Sequence, residues 1–303
     1  MPPSTELSYL QAVVIGLLQG VTELFPVSSL GHSVLVPAWI GGSWEHLVTE
    51  GTQKDSTYLA FIVALHVATA VALLVFYARD WVGIIGGLVT VLRTRTVATS
   101  TQRLAVLIII ATIPVGILGL ALEKTLRALF ATPEAAAVFL TLNGLILLAG
   151  ELLRRNAANT TGRVPGGVAV GTGVHRRLDT LDYREAAFIG VFQSLALLAG
   201  ISRSGVSIVG GLVRGLDHED AAKFAFLLAT PVILAAGVYK LPELAGPSAA
   251  HIHGQVVVGA MVVAGVAAYA SLRFLVRYFH TRTLLPFVLY SLLAGFISPV
   301  HFA

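Results

Sequence analysis

Three ionisable residues sit in apolar sequence, where charge is costly: Glu23 in VTELF, His32 in LGHSVLV and Arg203 in GISRSGVSIV. Ionisable groups at membrane depth are functional candidates by default. Arg203 stands between Ser202 and Ser204 and is followed by Gly205 and Ser207. A guanidinium, two hydroxyls and the free N–H groups of a helix start make an anion site suited to phosphate. Gly200 and Gly205 leave room for a ligand to reach the backbone. Ser28-Ser29-Leu30-Gly31 holds the matching place near the N-terminus. Glu23 has the chemistry of an acid, a base or a hard-cation ligand. Gln19, one helical turn earlier on the same face, has a carbonyl to add to such a metal site. His32 follows Ser29 by three residues and Ser28 by four. A base beside a serine is the arrangement of an activated nucleophile, and the imidazole is itself able to attack phosphorus.

These residues belong to one pattern written twice. Residues 9–33 and 183–207 align without a gap and agree at nine positions, among them Gly16/Gly190, Gln19/Gln193, Ser28/Ser202, Gly31/Gly205 and Ser33/Ser207. Each copy is a short apolar stretch, a break holding Pro or Gly, a small polar cluster and a second short apolar stretch. Matched interrupted segments in two halves of a membrane protein point to its binding site. We read 8–40 and 183–213 as re-entrant helix–break–helix hairpins. Irregular backbone survives at membrane depth only where protein or a wet cavity satisfies it.

The surrounding composition is that of an integral membrane protein: 56% hydrophobic and 12% charged, against about 25% charged in soluble domains. No cysteine is present, which excludes disulfides, thiolate metal sites and a thiol nucleophile. The N-terminus lacks the basic region of a signal peptide, so the first apolar stretch is expected to be retained. Six further stretches suit spanning helices: 58–77, 104–122, 134–153, 221–239, 255–274 and 284–300. The Gly-rich stretch 82–92 is too short to span and is expected at the interface or as a helix extension. The expected fold is an all-α polytopic membrane protein of one domain, 1–303. It holds an inverted-topology repeat, about 8–153 and about 183–300, each half a hairpin plus three spans, joined by a cytoplasmic loop, 154–182. Lys and Arg favour cytoplasmic loops. With segment 41–57 outside, fifteen basic residues fall inside and four outside, which agrees with the odd number of crossings per half.

The quoted residues also resemble a family. Gln19-Gly-Val-Thr-Glu23-Leu-Phe-Pro26-Val-Ser28-Ser29-Leu-Gly31-His32 is similar to the first signature of the bacterial undecaprenyl-diphosphatases, known also for bacitracin resistance. Gly200-Ile-Ser202-Arg203-Ser204-Gly205 is similar to the second. The resemblance implies a multi-pass phosphatase of the bacterial cell membrane, with its site accessible from the extracytoplasmic side. It would convert undecaprenyl diphosphate to undecaprenyl phosphate and so recycle the lipid carrier of peptidoglycan synthesis. It also implies a divalent cation, Mg2+ or Ca2+. Carried over, Glu23 is the catalytic or metal-binding carboxylate, Ser29 and His32 are nucleophile candidates beside activated water, and Arg203 binds phosphate. Ser28, Gly31, Gly200, Ser202, Ser204, Gly205 and Ser207 line the substrate. Gln19 stands where the family commonly has an acid, which leaves Glu23 the stronger metal ligand. Ala199 replaces a usual Pro, Ser207 a usual Thr, and Leu30 a frequent Thr.

Plainer readings apply elsewhere. His66, in the middle of a span, reads as a structural or supporting residue. Asn143 and Gln193 read as helix–helix hydrogen bonders, and His251-x-His253 as part of a solvated loop. Expected partners are the polyprenyl diphosphate and membrane lipids, with a homodimer as one assembly and no nucleic acid. The competing function is a transporter or flippase of an anionic or lipid-linked phosphate, since carriers share interrupted inverted repeats. A pure anion carrier has no need of Glu23 and His32 beside serines.

Overall fold

A computed structural model describes residues 7–44, 47, 57–129, 132–161, 176–244 and 254–302. The described residues are all-helical. The helices are α1 (Tyr9–Thr22), α2 (Ser29–Ile40), α3 (Thr57–Phe76), α4 (Ala78–Thr94), α5 (Ser100–Leu129), α6 (Pro133–Thr161), α7 (Tyr183–Gln193), α8 (Arg203–Val213), α9 (His218–Leu244), α10 (Gly254–Phe279) and α11 (Leu285–Phe302). Residues 162–175 of the connecting loop and the His251-x-His253 pair lie outside the described residues, and 154–161 belong to α6.

Six of these helices cover the six expected spans. By length and apolarity, four can cross a membrane: the apolar parts of α5, α6 and α9, and α10. The stretch Phe61–Phe76 of α3 qualifies together with α4, and the two are bent by 87° at Tyr77. α4 is therefore a separate helix. It exposes Val82, Ile85, Val89 and Leu92 along one stripe, the spacing of an amphipathic face. α11, with 18 residues, reaches about 27 Å, just short of a typical hydrocarbon core.

Each copy of the duplicated pattern is two short helices around a break. Ser8 and Asp182 cap α1 and α7 with matching capping boxes. Ser28 and Ser202, an aligned pair, cap α2 and α8 by accepting from the N–H of Gly31 and Gly205. The first hairpin joins its ends through Gln11, whose amide donates to the Ser43 carbonyl at 3.3 Å. The second is tied by Arg176, which bonds Glu185 at 2.6 Å and the Arg214 carbonyl at 2.9 Å.

The hairpins pack on different long helices through aligned glycines. A Cβ at Gly16 would lie 2.7 Å from the Ala260 carbonyl oxygen of α10, and one at Gly190 would lie 2.8 Å from Ala111 Cα of α5. Lipid tails are as apolar as Leu, so close backbone approach replaces the hydrophobic effect as the driving force here. The basic segments gather at one end: Lys223 pairs with Asp80 at 2.7 Å and His280 with Glu219 at 2.6 Å. Glu151, fully buried there, accepts from His218 at 2.9 Å and Arg155 at 3.0 Å.

Candidate active site

The two breaks meet in the interior. Ser28 Oγ accepts from the N–H of its own Gly31 and from that of Gly200 in the other hairpin, both at 3.2 Å. Ser28 holds φ +70°, a region that strains a non-glycine residue and persists only where its surroundings over-determine it. The two hydrogen bonds supply that constraint. Gly200, at φ +111°, has no space for a side chain: a Cβ would lie 2.7 Å from Phe139 Cβ and 2.8 Å from Leu140 N. A Cβ on Gly31 would lie 2.9 Å from Gly200 Cα. Asn143 of α6 completes the junction. Its Nδ2 donates to the Pro26 carbonyl and its Oδ1 accepts from the Ser202 N–H, each at 2.9 Å.

Glu23, at the start of the first break, is buried and surrounded. Arg203 donates to Oε1 at 2.8 Å. Oε2 accepts from Gln19 Nε2 at 3.0 Å and from the Ser29 hydroxyl. His66 Nε2 of α3 lies 3.3 Å from the same oxygen. A buried carboxylate is tolerated only when paired and hydrogen-bonded, and this one is. Two buried polar atoms beside it lack a partner: Arg203 Nη1 and Gln19 Oε1. The first is a cationic donor, the second a neutral oxygen acceptor.

Gln19, Glu23, Ser29 and Arg203 thus form one hydrogen-bonded set, and Ser28, Gly31 and Gly200 form the junction beside it. The Ser202 and Ser204 hydroxyls turn to the Phe25 carbonyl, at 3.4 and 3.2 Å, and approach each other at 3.0 Å. Ser207 donates to Gln193 Oε1 at 3.4 Å. Gly205 closes on Pro26, 3.2 Å from the place of a Cβ. His32 is engaged elsewhere than at Ser29. Its Nδ1 lies 2.7 Å from the Ser28 carbonyl and its Nε2 lies 2.6 Å from the Tyr290 hydroxyl. A carbonyl only accepts, so Nδ1 carries the hydrogen there. Spacing alone places His32 near both serines without fixing which way the ring turns.

His66 and Asn143 contribute more than their sequence settings suggest. Asn143 does bond another helix, through Ser291 at 3.2 Å, but its main partners are the two breaks. His66 has no motif around it, and its contact with Glu23 spans 43 positions of sequence.

No group of three or more His, Cys, Asp or Glu suited to a metal occurs among the described residues. A hard cation is also held by neutral oxygens, waters and substrate phosphates around one or two carboxylates. Glu23 with the unpartnered Gln19 Oε1 fits that pattern.

The chain has relatives of known family. Residues 12–297 match the family described as bacitracin resistance protein BacA. The chain belongs to the BacA family. It is 59% identical to undecaprenyl-diphosphatase 2 of Frankia alni, over 98% of this chain and 99% of that protein. It is 55% identical to undecaprenyl-diphosphatase of Mycolicibacterium paratuberculosis, over 99% of each. Undecaprenyl-diphosphatase 2 of Chromobacterium violaceum is 43% identical, over 95% of this chain and 97% of that protein. The BacA family match includes Glu23, His66, Asn143 and Arg203, the whole second hairpin and all but the first residues of the first.

Proposed function

We propose that this protein hydrolyses undecaprenyl diphosphate to undecaprenyl phosphate and phosphate in the bacterial cell membrane, recycling the lipid carrier of cell-wall synthesis and thereby conferring bacitracin resistance. One observation carries the chemistry. The Ser29 hydroxyl donates to Glu23 Oε2 while Arg203 holds Oε1 and keeps Nη1 free. A nucleophile, its base and a phosphate-binding cation therefore share one carboxylate. An anion carrier gains nothing from the serine–carboxylate contact.

Ser29 Oγ attacks the terminal phosphorus and its proton passes to Glu23. The bond from phosphorus to the bridging oxygen breaks, and undecaprenyl phosphate leaves. Water then releases phosphate from Ser29. Arg203 Nη1 and the first-turn N–H groups of α2 and α8 stabilise the oxygens on which charge develops. His32, through the Ser28 carbonyl and Tyr290, holds the junction rather than attacking phosphorus. Glu23 and Gln19 Oε1 would hold a divalent cation, which would supply Lewis-acid stabilisation to the phosphoryl group.

The site is reached from the extracytoplasmic side, with the basic end of the molecule in the cytoplasm. The inverted repeat is the matching architecture. Each hairpin returns to its own end, the first through Gln11 and Ser43, the second through Arg176. The aligned glycines dock them on α10 and α5, one in each half.

The test is phosphate release from undecaprenyl diphosphate by purified protein in detergent, with and without EDTA. Wild-type turnover by both Glu23→Ala and Arg203→Ala would overturn the site. Lipid translocation by a protein that releases no phosphate would favour the carrier.

A further inference from the structure

Glu23 has four polar neighbours, and one comes from outside the duplicated pattern. His66 lies in the middle of α3, with Nε2 3.3 Å from Glu23 Oε2. Its Nδ1 lies 2.8 Å from the Ile62 carbonyl, one turn earlier. A carbonyl and a carboxylate each accept only, so Nδ1 and Nε2 both carry a hydrogen in this arrangement. The ring is thereby locked in rotation, with Nε2 aimed at the carboxylate. Ile62 and the adjoining Phe61 and Leu65 are buried, so this stretch of α3 is anchored in the protein.

A carboxylate held at one oxygen can still rotate about its Cγ–Cδ bond. Arg203, on α8, anchors Oε1. Gln19, in the last turn of α1, precedes Glu23 by four residues and moves with it. His66 is the partner of Oε2 that comes from an independent long helix. Two anchors from two helices, one on each oxygen, define the plane of the carboxylate and the direction from which Oε2 meets Ser29.

Resting on the reading above, we infer that His66 is a positioning residue for the reaction. It fixes Glu23 Oε2 in the orientation that accepts the Ser29 proton. The contact it supplies is a single nitrogen at the depth of Nε2. A glutamine side chain brings its amide nitrogen to the same depth, whereas leucine fills the space without a donor.

The experiment compares wild type, His66→Leu, His66→Gln and Glu23→Ala in detergent. It reads kcat and KM for phosphate release from undecaprenyl diphosphate, with thermal unfolding as the check on folding. Misplacing a reacting group by about 1 Å costs about 100-fold. His66→Leu is therefore expected to lower kcat about 10- to 100-fold with KM within about twofold and an unchanged unfolding temperature. His66→Gln is expected to recover most of kcat. Wild-type kcat in His66→Leu overturns the inference and leaves the phosphatase reading intact. Equal loss in His66→Gln and His66→Leu also overturns it, because a structural or imidazole-specific role shows no amide rescue. Wild-type turnover in Glu23→Ala, or none in the wild type, overturns the reading and the inference together.

Discussion

Arg203 Nη2 lies 2.8 Å from Glu23 Oε1, across 180 positions of sequence and from one hairpin to the other. The plain outcome for such a pair is mutual neutralisation, a structural ion pair that leaves nothing for a ligand. Two details argue otherwise. Arg203 spends one nitrogen on the pair and keeps a buried second one unpartnered. Glu23 spends its other oxygen on Ser29 and Gln19. The pair aligns two groups with further valence rather than cancelling them.

A lysine at this position should therefore fail despite its charge. A single ammonium at the end of a flexible stem lacks the planar fork that addresses carboxylate and phosphate together. Arg203→Lys is expected to lower kcat/KM for phosphate release about 10- to 100-fold, the worth of one hydrogen bond to a charged group. Arg203→Ala should lose more. Equal activity of Arg203→Lys and wild type would remove the bidentate role.

Ser29 and Glu23 should behave as one unit. Removing a positioned base costs about 100- to 10,000-fold, and groups that act together are grossly non-additive. Ser29→Ala and Glu23→Gln are each expected to fall into that range, and the double variant to be little worse than either single. Steady-state phosphate release across the three variants checks this. Multiplying losses would mean that the two residues act in separate steps.

How much of this was legible in sequence depended on distance along the chain. The duplicated pattern, the breaks and the capping positions Ser28 and Ser202 follow from local rules of polarity and helix starts. That the two breaks serve one site follows from their matched places in the two halves. The Ser28–Gly200 bond and the Gly31–Gly200 contact needed tertiary structure. Helical spacing reports only neighbours three or four residues away, so it put His32 beside the serines and gave no hint of Tyr290, 258 positions on. His66 and Asn143 carry no motif and reach their partners from long apolar helices, where a lone polar residue reads equally well as a packing device. The end of the span near Tyr77 follows from length, since 58–77 is long enough to cross and 82–92 is not, but the 87° turn between the two helices is set by tertiary packing.

Asn143 should be a test of the junction itself. Its amide satisfies the Pro26 carbonyl and the Ser202 N–H, both buried, at 2.9 Å. Each group left unpaired costs about 1–3 kcal/mol. Asn143→Leu is expected to lower the unfolding temperature in detergent and to reduce phosphate release together. Asn143→Asp keeps the acceptor for Ser202 but loses the donor to Pro26, so it should be destabilised as well. Unchanged unfolding in both variants would mean that the breaks are held by other contacts.

Gln19 offers a way to separate metal from arginine. Its Oε1 is buried without a partner beside Glu23, and a neutral carbonyl is a weak ligand for a hard cation compared with a carboxylate. Gln19→Glu places a second negative charge next to Glu23. Like charges that close repel unless a cation sits between them. If a divalent cation binds here, Gln19→Glu should lower the Mg2+ concentration giving half-maximal phosphate release by about tenfold or more, since one unit of charge at contact distance is worth about 4 kcal/mol near a protein surface before losses to solvation. Activity of the variant in EDTA should drop below that of the wild type, because the uncompensated acid would compete for Arg203. A half-maximal Mg2+ concentration unchanged by Gln19→Glu would place the cation away from this pair.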